Sequence, residues 1–240
     1  MTRIDGRANN QLRQVTITPG FAEFAEGSAL IKAGRTVVLC TATVDERVPN
    51  FLRGAGRGWV TAEYGMLPRS SLQRTPRDVS QASGRTHEIQ RMIGRSLRAV
   101  TDLPRLGERT IILDCDVIQA DGGTRTAAIT GAYVALRQAL GGLVRNNVLP
   151  ELPLTGAVAA VSVGLVDGEP LLDLCYDEDF RAQVDFNIVM TDKGEMVEVQ
   201  GAAEGMPFSK ERMDLLVDLA RAGIQELLHH QMTAVRGLET

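Results

Sequence analysis

The chain has 240 residues, enough for one large core or two small ones, with 44% hydrophobic and 23% charged residues and a formal net charge of −4. Its polar N-terminus lacks a signal-peptide apolar core, and no stretch approaches the ~20 apolar residues of a membrane span, so a cytoplasmic protein with no membrane partner is expected. Three widely spaced cysteines without a CxxC read as buried thiols, and three histidines without ligand spacing leave little for zinc or Ser-His-Asp chemistry.

In chain order, QVTITPG and FAEFAEGSALIKAGRTVVLCTATVDE alternate like strands, with turns at Gly20, Gly27 and Gly34, which suits an antiparallel meander. A long, weakly periodic Gly/Arg/Ser-rich segment follows, of a kind that is either functional or disordered. THEIQRMIGRSLRAV predicts an amphipathic helix with Ile89, Met92, Ile93, Leu97 and Val100 on one face and Arg91, Arg95 and Arg98 on the other. RTIILDCDVIQA predicts a strand with Ile111, Leu113, Cys115 and Val117 facing one way and Asp114 and Asp116 the other. Those two carboxylates suit a metal or, better, pairing with arginines.

The next helix is thinned by Ala127, Ala128, Gly131 and Ala135 for close packing on a sheet, and Gly141-Gly142 is expected to end it. LVRNNVLPELPLTG, residues 143–156, reads as a linker between a first unit of residues 1–142 and a second of residues 157–240. In the second, strands AVAAVSVGLV, LLDLCY, VDFNIVMT and MVEVQGAAE alternate with turns, including an acidic turn DEDFRAQ, before a long closing helix. Strands then helix, twice over, predict an α+β protein of two similar packed halves.

Charge is unevenly placed. Between Arg47 and Arg109 stand twelve arginines, no lysine and five acidic residues. This asymmetry points to an anionic partner, and arginine's planar fork suits phosphate; a solvated basic face is the alternative. In DGGTRTA, two glycines allow a sharp turn and close approach, and the following helix offers free N–H groups to an anion. Arg125 at this positive helix end is unfavourable unless an anion lies between them. Gly123, Thr124, Arg125 and Thr126 are therefore read as a phosphate clamp, against a plain glycine turn with a capping threonine and a surface arginine. There is no GxxxxGK[ST] cradle. Arg85, beside a glycine in SGRTHE, repeats the arrangement and suggests that both arginines meet one anion. Asp179 and Asp185 are candidate ligands for a hard cation. The bland alternative is a solvated turn and a strand-end charge, although Asp185 in a buried strand would need a partner.

DGRANNQLR, EYGMLPRS, GRTHEIQRMIGRSLRA, DGGTRTAAITGA and VMTDKGEMVEVQGAAEGMPF, spread in order over essentially the whole chain, resemble the ribonuclease PH family of phosphate-dependent 3′-exoribonucleases. The resemblance implies two β/α halves of the ribosomal protein S5 domain 2-like type, and a homo-hexamer built as a trimer of dimers. It implies reversible phosphorolysis of the 3′ ends of tRNA precursors, with release of nucleoside diphosphates and inorganic phosphate as co-substrate. Arg85 with Gly123, Thr124 and Arg125 then matches the phosphate site. Asp179 and Asp185 match catalytic carboxylates associated with Mg2+, and Arg69, Arg74 and Arg77 fall in the loop used for RNA contact and ring assembly. Arg91 is added to the RNA-facing arginines. With 4% aromatic residues, little base stacking is expected. The rival from another class is a non-catalytic RNA-binding ring subunit of an exosome-like assembly, which would need neither clamp nor acid pair.

Overall fold

The computed structural model of the chain describes residues 3–77, 84–205 and 207–236; residues 78–83 of the arginine-rich stretch and Met206 of the last quoted motif lie outside the described residues. Strands β1 (Val15–Pro19), β2 (Gly27–Ala33), β3 (Thr36–Asp45), β4 (Trp59–Met66) and β5 (Thr110–Gln119) form one sheet in the order β1-β2-β3-β5-β4. The pairs β1–β2, β2–β3 and β3–β5 are antiparallel, and β4 joins the edge parallel to β5. A parallel pair needs a crossover, which is supplied by helix α1 (Gly84–Arg98) and the short α2 (Leu103–Leu106). Helix α3 (Thr124–Arg145) follows β5.

Periodicity explains the layering. Ile111, Leu113, Cys115 and Val117 of β5 are buried together with Ile89, Met92, Ile93 and Leu97 of α1. Gly131 lets α3 approach this sheet, because a Cβ there would lie 2.8 Å from Ile31 Cγ2 and 2.9 Å from Cys40 Sγ. All three cysteines are free and buried.

The second half has β6 (Val158–Val166), β7 (Glu169–Leu172), helix α4 (Tyr176–Arg181), β8 (Val184–Thr191), β9 (Met196–Ala203) and helix α5 (Lys210–Arg236). Its sheet, ordered β7-β6-β8-β9, is antiparallel throughout. Strand β6 is buried along its whole length, and its faces serve different cores. Val158 and Ala160 join the first-half core, while Ala159, Val161 and Val163 join the second. A strand covered on both faces needs no polar alternation, hence AVAAVSVGLV.

Three sequence expectations change. Gly141-Gly142 does not end α3, which runs to Arg145; Leu143 and Val144 pack against the core and extend the burial that holds the helix. The acidic turn is helix α4, because the Glu178 carboxylate accepts the Cys175 N–H at 3.1 Å and caps its start. By length and composition α3 is apolar enough to cross a membrane, against the sequence expectation, but 67% of the relevant window is buried inside the protein. The segment expected as a linker lies on the first core through Leu149, Leu152 and Leu154. Conversely, Leu12 and Val15 from the chain start belong to the second core beside Leu216, Val217 and Ile224 of α5.

Candidate active site

The glycine turn forms where β5 delivers the chain to α3. Gly122 (φ +74) and Gly123 (φ +64) are left-handed, and a Cβ on Gly122 would lie 2.5 Å from the Leu174 carbonyl oxygen. Gly123 caps α3 without a side-chain acceptor, and no acidic residue lies in the first turn, so its N–H groups remain available to an anion. The hydroxyls have separate tasks. Thr126 Oγ1 donates to the Gly123 carbonyl at 2.9 Å and braces the turn, while Tyr64 from β4 donates to Thr124 Oγ1 at 2.9 Å.

Arg125 reaches across the halves. Its Nη1 donates to Gln200 Oε1 on β9 at 2.8 Å, and Gln200 in turn donates to Glu88 of α1. Arg85 stands exposed in the first turn of α1. The two arginines share one electrostatic neighbourhood, since both act on Tyr64, Asp179 and Asp185.

The acids arrive from the other half. Asp179 is exposed on α4, and half-buried Asp185 sits at the start of β8, opposite Gly164 and Ala202. Partial loss of hydration pushes the Asp179 carboxyl up and the Asp185 charge pushes it further, against Arg125, Arg85 and Arg13. Asp185 is likewise pushed up by partial burial and by Glu204, while Arg125 and Arg85 oppose the rise. Two under-hydrated carboxylates of like charge beside two arginines suit a site receiving both a cation and an anion.

Asp114 and Asp116 share no electrostatic partner with Asp179, Asp185, Arg85 or Arg125 and form no ion pair among the described residues. Burial raises both carboxyls; Asp114 also feels Asp116 and Glu63, and Asp116 feels Arg77. The expected pairing with arginines is thus reduced to one nearby charge, because β5 aims both acids away from α1.

The arginine-rich stretch divides. Arg95 pairs with Glu198 at 2.6 Å, Arg105 with Glu151 at 2.5 Å and Arg109 with Glu46 at 2.8 Å. Arg98 lies 4.3 Å from the Trp59 ring centroid. Arg69, Arg74, Arg77 and Arg91 are exposed. The loop bearing the first three is tied to the cleft, because buried Ser70 accepts the Ala120 N–H at 2.8 Å through its carbonyl, one residue before the glycine turn begins.

Four supporting residues escaped the sequence reading. Buried Arg13 donates to Asp173 at 2.7 and 3.0 Å, to the Asp121 carbonyl at 2.5 Å and to the Gly122 carbonyl at 3.4 Å. Arg3 grips Glu178 through two nitrogens at 2.8 and 2.7 Å, fixing the helix that carries Asp179. Glu178, within the acidic turn whose bland reading was a solvated one, is 1% exposed. Burial of a charge is paid by its partner, and partners more than a hundred residues apart leave no local signal. Exposed Tyr176 and Phe180 were also missed; they stack with ring centroids 6.2 Å apart on the helix of Asp179.

Two family models match the chain: "3′ exoribonuclease family, domain 1" over residues 11–140 and "domain 2" over residues 156–223. A protein of Dehalococcoides mccartyi described as ribonuclease PH is 58% identical over 233 residues, covering 96% of this chain and 97% of its own. One of Neisseria meningitidis with the same description is 59% identical over 231 residues, covering 95% and 96%. The fold is also that of a chain of the Archaeoglobus fulgidus exosome with RNA bound to its active site (TM-score 0.82, 24% identity, 95% of this chain and 91% of that one). Rice Rrp46 superimposes with a TM-score of 0.80 at 20% identity, covering 97% and 100%.

Proposed function

Since the chain belongs to the ribonuclease PH family of 3′ exoribonucleases, we propose that the cleft between its halves carries out phosphorolysis. The protein is a phosphate-dependent 3′→5′ exoribonuclease and nucleotidyltransferase that trims the 3′ ends of tRNA precursors. The observation that carries this reading is the convergence of Arg85 and Arg125 from the first half on Asp179 and Asp185 from the second.

An oxygen of inorganic phosphate attacks the phosphorus of the terminal phosphodiester, the P–O3′ bond breaks, and a nucleoside 5′-diphosphate leaves. Anion attacking anion is slow because the charges repel. Arg85, Arg125 and the N–H groups at the start of α3 neutralise the attacking phosphate and fix it for in-line approach. The proton released by hydrogen phosphate is the one the departing 3′-oxygen needs. We assign its relay to Asp185, which shares the cleft with Arg125 and Arg85. The bonds exchanged are alike, so excess nucleoside diphosphate drives nucleotide addition.

Mg2+ fits the donor set: two hard carboxylates whose mutual repulsion and partial desolvation a divalent cation would relieve. Asp179 and Asp185 would hold it. When bound, it supplies positive charge against the negative charge that develops on the phosphoryl oxygens.

RNA is led to the cleft by exposed Arg69, Arg74, Arg77 and Arg91. We further propose a homo-hexamer built as a trimer of dimers from two S5 domain 2-like halves divided at residues 143–156. Phe24 at 99% and Leu72 at 87% exposure support burial between subunits. Three free thiols suit the reducing cytoplasm. A non-catalytic ring subunit would need neither the arginine pair nor the acid pair.

The deciding experiment incubates the protein with a 3′-extended tRNA and Mg2+, with and without phosphate. Nucleoside diphosphates that appear only with phosphate support phosphorolysis. Monophosphates released without phosphate mean hydrolysis, and RNA binding without release means a non-catalytic subunit.

A further inference from the structure

The helix that brings Asp179 to the cleft also carries Tyr176 and Phe180, whose rings stack with centroids 6.2 Å apart and an interplanar angle of 28°. Both are left in water, Tyr176 at 56% and Phe180 at 79% exposure. Single exposed apolar side chains are ordinary. A stacked pair on one helical turn, in a chain with only 4% aromatic residues, is not. The rings are not what fastens the helix, since α4 is anchored from its other side by buried Glu178 in the grip of Arg3.

Position ties the pair to the cleft. At about 100° of rotation per residue, Tyr176 falls between Asp179 and Phe180, so both rings share the outer stripe of α4 with Asp179, opposite Glu178. The start of the helix rests on the glycine turn. The Tyr176 N–H donates to Asp121 Oδ1 at 3.4 Å, and a Cβ on Gly122 would lie 2.9 Å from the Tyr176 nitrogen. Local charge narrows what the rings can hold. Asp121, Asp177 and Asp179 lie beside them, and Arg181 is engaged by Asp167 at 3.5 Å. That wall repels phosphates, which the arginines and helix N–H groups of the first half attract, and it leaves the uncharged base to the aromatic side. A neighbouring subunit laid over the rings would also cover Asp179 and close the cleft, which favours the substrate as their occupant.

We propose that Tyr176 and Phe180 form a stacking platform for the 3′-terminal base of the RNA, an assignment that rests on the cleft proposed above. Because the rings already contact each other, the base extends the stack from the Tyr176 side, next to Asp179. Every base has a π-face, so the platform accepts any 3′ end. It holds the terminal nucleoside while the arginines hold the attacking phosphate, and the scissile phosphorus is fixed between the two.

Filter binding without phosphate or divalent cation compares two oligoribonucleotides that differ only in the 3′-terminal residue, adenosine or an abasic ribose. Wild-type protein should bind the adenosine end at least about fivefold more tightly. Tyr176→Ala combined with Phe180→Ala should bring that ratio below about twofold, by weakening the adenosine end and sparing the abasic one, whereas Phe180→Trp should preserve it. A ratio near one in the wild-type protein overturns the proposal, as does an undiminished ratio in the double variant. Equal weakening of both oligonucleotides, with a lower sedimentation mass, overturns it too and gives the rings to contact between copies of the chain. Phosphorolysis is judged apart, by nucleoside diphosphates from wild-type protein with phosphate, so either claim can fail alone.

Discussion

The guanidinium of Arg13 and the carboxylate of Asp173, 160 residues apart in sequence, meet at 2.7 and 3.0 Å with both residues 5% exposed. From the same guanidinium, bonds run to the carbonyls of Asp121 and Gly122. One ion pair therefore joins the halves and holds the glycine turn in shape. Burial alone would raise the Asp173 carboxyl, but Arg13 and then Arg7 hold it below its ordinary value of 3.8. Its folded pKa being depressed, its stabilisation is complete above that ordinary value and is lost as pH falls through the folded one. Asp173→Asn should cost about 3–5 kcal/mol at neutral pH, because it strands a buried arginine. It should also flatten the loss of stability below about pH 4. Urea unfolding at neutral and acid pH checks both; equal acid slopes would remove Asp173 from this role.

Gly122→Ala should disable the turn. It forces a side chain into left-handed backbone and against the Leu174 carbonyl oxygen, at a cost of at least about 1–2 kcal/mol. Phosphorolysis should fall more than tenfold, with a lower melting temperature. A variant with wild-type phosphate KM would show that the turn does not shape the anion site.

Arg125→Ala should raise the phosphate KM ten- to a hundredfold while moving RNA affinity little. Gln200→Leu, which removes the acceptor of the Arg125 Nη1 bond but keeps the charge, should give a smaller rise. Initial rates against phosphate at fixed RNA separate the two. Identical KM values in all three proteins would exclude the clamp.

Asp185→Asn should abolish turnover with RNA still bound. The same substitution should raise the melting temperature at neutral pH. A carboxyl whose folded pKa is raised stabilises fully below its unfolded value and loses that contribution as pH rises through the folded one. Glu204 is one cause of that rise, so Glu204→Gln should move the acid limb of the pH–rate profile downward. An unmoved limb would assign it to another group.

Neutralising Arg69, Arg74 and Arg77 together should weaken tRNA binding and flatten its salt dependence, with phosphate KM unchanged. Phe180→Ala should also weaken RNA binding, by about 1 kcal/mol or fivefold, yet leave the salt slope intact, since stacking releases no counterions. Filter binding across a salt series distinguishes them.

Signals carried by period and by motif were readable from sequence. The β5 alternation, the α1 stripe and the glycine turn each lie within about fifteen residues and obey one local rule. What stayed hidden depends on remote partners. Nothing around Arg3 announces Glu178, and nothing in DEDFRAQ shows that its second acid is buried and makes a helix of a turn. The arginine count overstated the RNA-facing charge, because Arg95, Arg105 and Arg109 are engaged by acids outside or at the margin of the counted stretch.

The first fifteen residues have a bearing on synthesis. Arg3 locks onto Glu178, Arg13 onto Asp173, and Leu12 and Val15 fill a core completed by α5. A segment made early must therefore wait for chain made much later. Neither half carries a whole core of its own, and a nascent chain stopped after α3 would expose the apolar face that β6 later covers. Assembly of the glycine turn and the acids opposite it is tied to synthesis of the second half, so protein stopped before that half is expected to lack exonuclease activity.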